Sequence, residues 1–221
     1  MKIAIFYHIL QSGMSAFIYQ SQLHRLYTSG LIEAAEHIHF GVNGNQELFN
    51  VPEKVKIVYN QDLKSEKDTL LSLIDFCNNN PEHKVLYLHT KGATKDSINV
   101  QSWRLMMEHF VIDKWKECIG FLENYDCVGA EMNTVGPTLW SDGSLTHNDP
   151  IPFYAGNFWW SNASYINTIK PRYMQSECRL EKERWIGDGE YGCNAKNLFK
   201  SSCDVRNNPY EYYFRESDYV S

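Results

Sequence analysis

The chain has 221 residues, 21 Lys+Arg against 27 Asp+Glu for a formal net charge of −6, and an aromatic content of 14%. A chain of this length forms one large domain or two small ones and buries roughly 70–75% of its unfolded surface, so its core needs no covalent staples. The acidic balance excludes the broad basic face of a general nucleic-acid binder but leaves room for a local cationic pocket.

Lys2–Ile9 is β-branched and aromatic without polar alternation, which predicts a strand buried on both faces. Phe17, Gln20, Leu23 and Leu26 recur at helical spacing over Ala16–Ser29, and Gly30 is a natural stop. His37–Val42 reads as a second strand ended by Asn43-Gly44-Asn45, and Val55–Tyr59 as a short third. Lys67–Asn78 reads as a helix ended by Asn79-Asn80-Pro81. The apolar run Val85–Leu88 is a fourth strand that breaks abruptly into His89-Thr90-Lys91-Gly92. Val100–Glu123 reads as one long helix with Trp103, Met107, Phe110, Trp115 and Ile119 on its apolar stripe. Asp126–Ala130 is a fifth strand. Turn chemistry then dominates until Phe153–Trp160 resumes as a strand and Asn162–Thr168 as a short helix.

The order β-α-β-β-α-β-α-β predicts an α/β fold with a mostly parallel central sheet flanked by helices. In such sheets ligands bind outside the carboxyl ends of the strands. Tyr7-His8 and His89-Thr90-Lys91-Gly92 fall there. The dinucleotide fingerprint G-x-G-x-x-G, the P-loop, the G-x-S-x-G elbow and H-E-x-x-H are all absent from the sequence, which argues against dehydrogenases, P-loop NTPases, α/β-hydrolases and zincins. The six cysteines form no C-x-x-C pair. The opening apolar run is too short for a secretory leader, and no stretch approaches the ~20 apolar residues of a membrane span. Together these suggest a cytoplasmic protein with reduced thiols.

The motif YLHTKGA at Tyr87–Ala93, Trp103-Arg104, YAGNFWWSNASYI at Tyr154–Ile166 and the R-x-x-x-E-x-W of Arg179–Trp185 resemble one family. It is a group of GT-A-fold (Rossmann-like) glycosyltransferases, related to rhamnan-synthesis-type proteins and to the N-terminal glycosyltransferase domain of a chlorella-virus protein. The resemblance implies a single domain, with a nucleotide-binding half at about 1–130, an acceptor half at about 131–205 and a polar tail at 206–221. It implies transfer of a sugar from a nucleotide-diphosphate donor, UDP-sugar favoured, to a carbohydrate acceptor. The alternative is a catalytically silent carbohydrate- or nucleotide-binding domain of the same fold. A larger multidomain parent fits the polar tail.

The family's central D-x-D, which holds Mn²⁺ or Mg²⁺ against the diphosphate, is replaced here by His89-Thr90-Lys91. Either Lys91 itself neutralises the diphosphate, or His89 binds the metal with an acid from elsewhere. Tyr7, His8, Glu66, Thr69, His89, Thr90, Lys91, Gly92 and Arg104 are therefore the expected nucleotide and diphosphate residues, although Ser65-x-x-Asp68 also reads as a helix-capping box. Trp103, Gly156, Asn157, Trp159 and Trp160 are the expected sugar site, since sugar C–H faces pack on indoles and hydroxyls need amide partners. Trp159 and Trp160 point to opposite faces of a strand, so at most one is expected to line it. Glu183, Asp188 and Glu190 are the expected catalytic acids or bases, with Asp142 and Asp149 as further candidates.

Overall fold

The computed structural model describes residues 1–60, 65–135, 150–169, 179–202 and 209–220. In chain order the elements are β1 (Ile3–Leu10), α1 (Ser15–Thr28), α2 (Leu31–Ala34), β2 (His37–Asn43), β3 (Val55–Tyr59), α3 (Lys67–Asn79), β4 (Lys84–His89) and α4 (Ile98–Glu108). A π-helical turn, His109–Asp113, leads to α5 (Trp115–Phe121), β5 (Cys127–Gly129), β6 (Met132–Val135), β7 (Ile151–Tyr154), β8 (Trp159–Asn162), α6 (Ala163–Ile166), α7 (Arg179–Arg184) and β9 (Ala195–Asn197).

Seven strands form one sheet in the order β3-β2-β1-β4-β8-β5-β9, and β6 pairs with β7 in a separate ribbon. The first four strands are parallel, and β8 alone runs against its neighbours β4 and β5. This is the expected mostly parallel α/β sheet. The period-two alternation of β1 sends Ile3, Ile5, Tyr7 and Ile9 into one core and Ala4 and Phe6 into the other. Helices α1, α4 and α5 cover the first face with Leu23, Leu26, Trp103, Met106 and Cys118, while α3 and α6 cover the second with Leu70, Leu73 and Ile166. Burial on both faces is why the strands read as continuous apolar runs.

Two expected elements are interrupted. The long helix over Val100–Glu123 breaks at the π-helical turn, where the Lys114 N–H reaches back to the His109 carbonyl. The carbonyls that the distortion releases find other donors: Trp160 Nε1 donates to Val111 (2.8 Å) and Cys118 Sγ to Phe110 (3.2 Å). The expected strand Phe153–Trp160 is split by a turn in which Gly156 has φ +95° and Asn157 φ +59°. Its two halves serve different sheets.

The segment after residue 208, expected to be polar, contributes to the core. Phe214 is buried, stacks on Trp103 (ring centroids 6.0 Å apart), and its N–H donates to Ser102 Oγ. Cys77, Cys118, Cys127 and Cys193 are free thiols, whereas Cys178 and Cys203 lie outside the described residues. Burial pushes the Cys77 thiol up to about 12. Among the described residues no helix is long and apolar enough to cross a membrane.

Candidate functional site

β1 is flanked by β2 on one side and β4 on the other, so the chain's crossovers diverge there, and a crevice opens at the carboxyl ends of β1 and β4. A cleft of about 240 Å³ occupies this point. β1 contributes His8 and Leu10, the end of β2 Asn43, and the start of α3 Ser65 and Glu66. The β4 end and its loop supply His89 through Thr94, and Lys182 reaches in from α7. The two strand ends are locked together: Thr90 N–H donates to the His8 carbonyl (3.0 Å) and Leu10 N–H to Thr90 Oγ1 (2.9 Å).

One wall is a side-chain relay. His8 Nδ1 and Thr69 Oγ1 share a hydrogen bond of 2.9 Å, Asn60 Nδ2 donates to both Thr69 Oγ1 and Asn43 Oδ1, and Asn43 Nδ2 donates to the Ser65 carbonyl. Ser65 Oγ accepts the Lys67 N–H at 3.3 Å. Glu66, at the helix start, makes no capping bond and turns its carboxylate inward. That carboxylate accepts from the Tyr87 hydroxyl and from Asn157 Nδ2 (3.2 Å).

The floor joins motifs that are far apart in sequence. His89 Nε2–H donates to the Gly156 carbonyl (2.8 Å), and Trp159 Nε1 donates to Asn157 Oδ1 (2.7 Å). Trp159 stacks on Tyr87 and meets Trp185 edge-on. The Lys91 ammonium lies 3.8 Å above the Trp103 ring. A Cβ on Gly156 would stand 2.5 Å from Met107 Sδ and 3.3 Å from Lys91 Cε, in a backbone conformation that side chains avoid. Gly156→Ala is therefore expected to lower stability by about 1–3 kcal/mol; urea midpoints measure it, and an unchanged midpoint would remove the close-packing argument.

A family model described as a domain of unknown function, DUF8361, matches residues 14–198. The chain belongs to this family. No curated protein matches it. Among solved structures, the bifunctional IspDF from Campylobacter jejuni is similar at 8% identity and a TM-score of 0.47, over 91% of this chain and 50% of that one. A 4-diphosphocytidyl-2C-methyl-D-erythritol synthase gives 10% identity and a TM-score of 0.49, over 98% and 94%. The 2-C-methyl-D-erythritol 4-phosphate cytidylyltransferase from Thermus thermophilus gives 8% and 0.45, over 100% and 96%. The chain thus spans half of the bifunctional protein and nearly all of the other two. At these identities and scores the likeness identifies no activity.

Within this DUF8361 chain, the cleft gathers His8, Glu66, His89, Thr90, Lys91 and Gly92 of the expected nucleotide residues, and Thr69 stands directly behind His8. Two others lie elsewhere. Tyr7 points into the core and donates to Gln22 Oε1, and its burial beside the Glu108 carboxylate holds the phenol well above its ordinary range. Arg104 is 2% exposed and donates to Glu108 Oε1 at 2.6 Å. It is a buried ion-pair residue on the inner face of α4, not a cleft cation.

The expected sugar site is also displaced. Trp159 and Trp160 do face opposite cores, yet both are fully buried because β8 sits between β4 and β5 with helices over each face. Asn157 is fully buried as the brace between Glu66 and Trp159, Gly156 carries the turn, and Trp103 is the seat of Lys91. None of Glu183, Asp188 and Glu190 lines the cleft, and Glu190 is exposed. Asp142 and Asp149 lie outside the described residues. The cleft's second cation, Lys182, is the residue that sequence reasoning passed over. It adjoins Glu183 within the R-x-x-x-E-x-W motif and is 3% exposed.

The described donors at the cleft do not suit a hard divalent metal. His89 Nε2 carries the proton given to Gly156, Glu66 already accepts two hydrogen bonds on one oxygen, and two ammonium groups line the same space. Among the described residues no trio of carboxylate, imidazole or thiolate groups converges there.

Proposed function

We propose that this chain is a glycosyltransferase that moves a sugar from a nucleotide-diphosphate donor, UDP-sugar favoured, to a carbohydrate acceptor. The observation that carries the reading is the pair of lysines, Lys91 and Lys182, lining one cleft at the sheet's switch point. Departure of a nucleoside diphosphate builds negative charge on phosphate oxygens, and fixed cations in a partly dehydrated cleft stabilise that charge. The Thr90–Gly92 turn lies against the phosphates in this reading, and the His8–Thr69–Asn60–Asn43 relay offers polar partners to ribose or base. A volume of about 240 Å³ is below the ~300–1,000 Å³ typical of sites that enclose a whole small ligand, so part of the donor would extend outside it. With Lys91 and Lys182 as counter-charges, the leaving diphosphate needs no metal.

A second reading is a silent nucleotide- or carbohydrate-binding domain. It is favoured by one observation: Glu66 is the only carboxylate among the described residues that lines the cleft, and it is engaged by Tyr87 and Asn157. Calorimetric titration of UDP, GDP and dTDP, each with and without Mn²⁺, tests both. Metal-independent binding of one of them is expected. Failure of all three to bind at millimolar concentration would overturn the transferase reading and the nucleotide-binding form of the second, and binding without transfer or hydrolysis of the corresponding sugar donors would select the second.

A further inference from the structure

At the opposite end of the sheet, where β2 and β4 begin on either side of β1, Glu36, His37 and His83 come together. One ligand-type atom from each lies within 4.8 Å of the others. His83 is 2% exposed, yet neither of its ring nitrogens has a hydrogen-bond partner. Its Nε2 stands 3.7 Å from Glu36 Oε2 and its Nδ1 3.6 Å from Glu82 Oε1, both outside hydrogen-bond range. Buried polar atoms are nearly always paired, so an imidazole left open on both sides needs a reason.

The surroundings hold this arrangement in place. Glu36 N–H donates to the Ile3 carbonyl and His83 N–H to Asn80, which fixes the backbone on both sides of β1. The rings of His37 and His83 both pack edge-on against Phe76, with centroids 5.2 and 5.1 Å away. Glu36 and His37 are exposed, so an ion can reach the group from solvent.

We propose that Glu36, His37 and His83 form a binding site for a late first-row divalent cation, with Zn²⁺ the best match. Two imidazoles and one carboxylate are a donor set that Zn²⁺ accepts in four-coordinate geometry, with water in the remaining position. Bond lengths of about 2.0–2.2 Å require the ligand atoms to draw in by about 1 Å, a movement available to the two exposed side chains. His83 Nε2 is the ligand atom facing Glu36. Glu82, now 3.6 Å from Nδ1, then draws in to accept a hydrogen bond from Nδ1–H and orients the ring, and it is itself held by Lys2 at 2.7 Å. The ion ties the start of β2 to the start of β4, at the end of the sheet away from the cleft.

The test uses the tag-free 221-residue chain and the metals alone. Calorimetry with Zn²⁺ is expected to give one saturable site, and Co²⁺ a visible spectrum of low-coordinate cobalt that Zn²⁺ abolishes. Glu36→Gln and His37→Ala, both at exposed positions and so expected to fold, should each weaken binding roughly tenfold or more. Zn²⁺ should raise the melting temperature of the parent protein more than that of either variant. Three results would each overturn the proposal: no saturable binding at submillimolar ion, parental affinity in both variants, or a thiolate-to-cobalt charge-transfer band, which would place the ion at Cys127 and Cys193, whose sulfurs lie 3.2 Å apart.

Discussion

Lys91→Met is expected to weaken UDP binding by roughly tenfold to a hundredfold, the range expected when a hydrogen bond to a charged group is lost. Methionine keeps an unbranched stem to fill the space beside Gly156 and over the Trp103 ring, and removes the charge. Alanine would also leave a void at a position that is 5% exposed. The loss should shrink as salt is added, because added ions screen the attraction being removed. Lys182→Met should act in the same direction. Calorimetry at low and high ionic strength, with thermal melts to confirm the fold, makes the comparison. If both variants bind UDP with parental affinity, the two lysines have no part in holding a diphosphate.

Glu108→Ala should cost about 3–5 kcal/mol of folding stability, the range for removing one partner of a buried ion pair. Glu108 is fully buried and accepts from Arg104 on one oxygen and from Arg25 on the other. Arg25 keeps Asp113 through two short hydrogen bonds, so Arg104 is left with the uncompensated charge. The double replacement Arg104→Met, Glu108→Leu removes both charges and should recover most of the loss. Urea midpoints of the single and double variants test this. A single variant as stable as the parent would mean that the pair is already solvated. The same double variant separates packing from ligand binding: with Arg104 outside the cleft, its UDP affinity should match the parent's.

The parts of this fold legible from sequence are those governed by local pattern. The apolar runs of β1 and β4 announce strands covered on both faces, and their abrupt polar ends, His8 and His89–Gly92, do meet in the cleft. What stayed hidden depends on partners distant in sequence. Nothing around Trp159 and Trp160 says that β8 inserts between β4 and β5, and this insertion buries both indoles. Arg104 follows Trp103 in sequence, but one step along a helix turns a side chain by about 100°, which sends Arg104 toward Glu108 while Trp103 meets Lys91. Apolar periodicity marks a helix over Val100–Glu123 but cannot register a π-helical turn whose freed carbonyls are taken by Trp160 and Cys118. Lys182 was discoverable, since a charged residue inside a motif otherwise read for its acid and its tryptophan is itself a signal.

The ring contacts of the C-terminal segment bear on the order in which the molecule matures during synthesis. Trp103 receives Phe214 on one side and Tyr210 on another, and the Lys91 ammonium lies 3.8 Å from Trp103 and 5.8 Å from Tyr210. Chains emerge from the ribosome amino end first, and the strands that frame the cleft are available well before these two residues. The cleft's cation therefore reaches its final setting only after residue 214 has been added, which makes its assembly a late event in the birth of the protein.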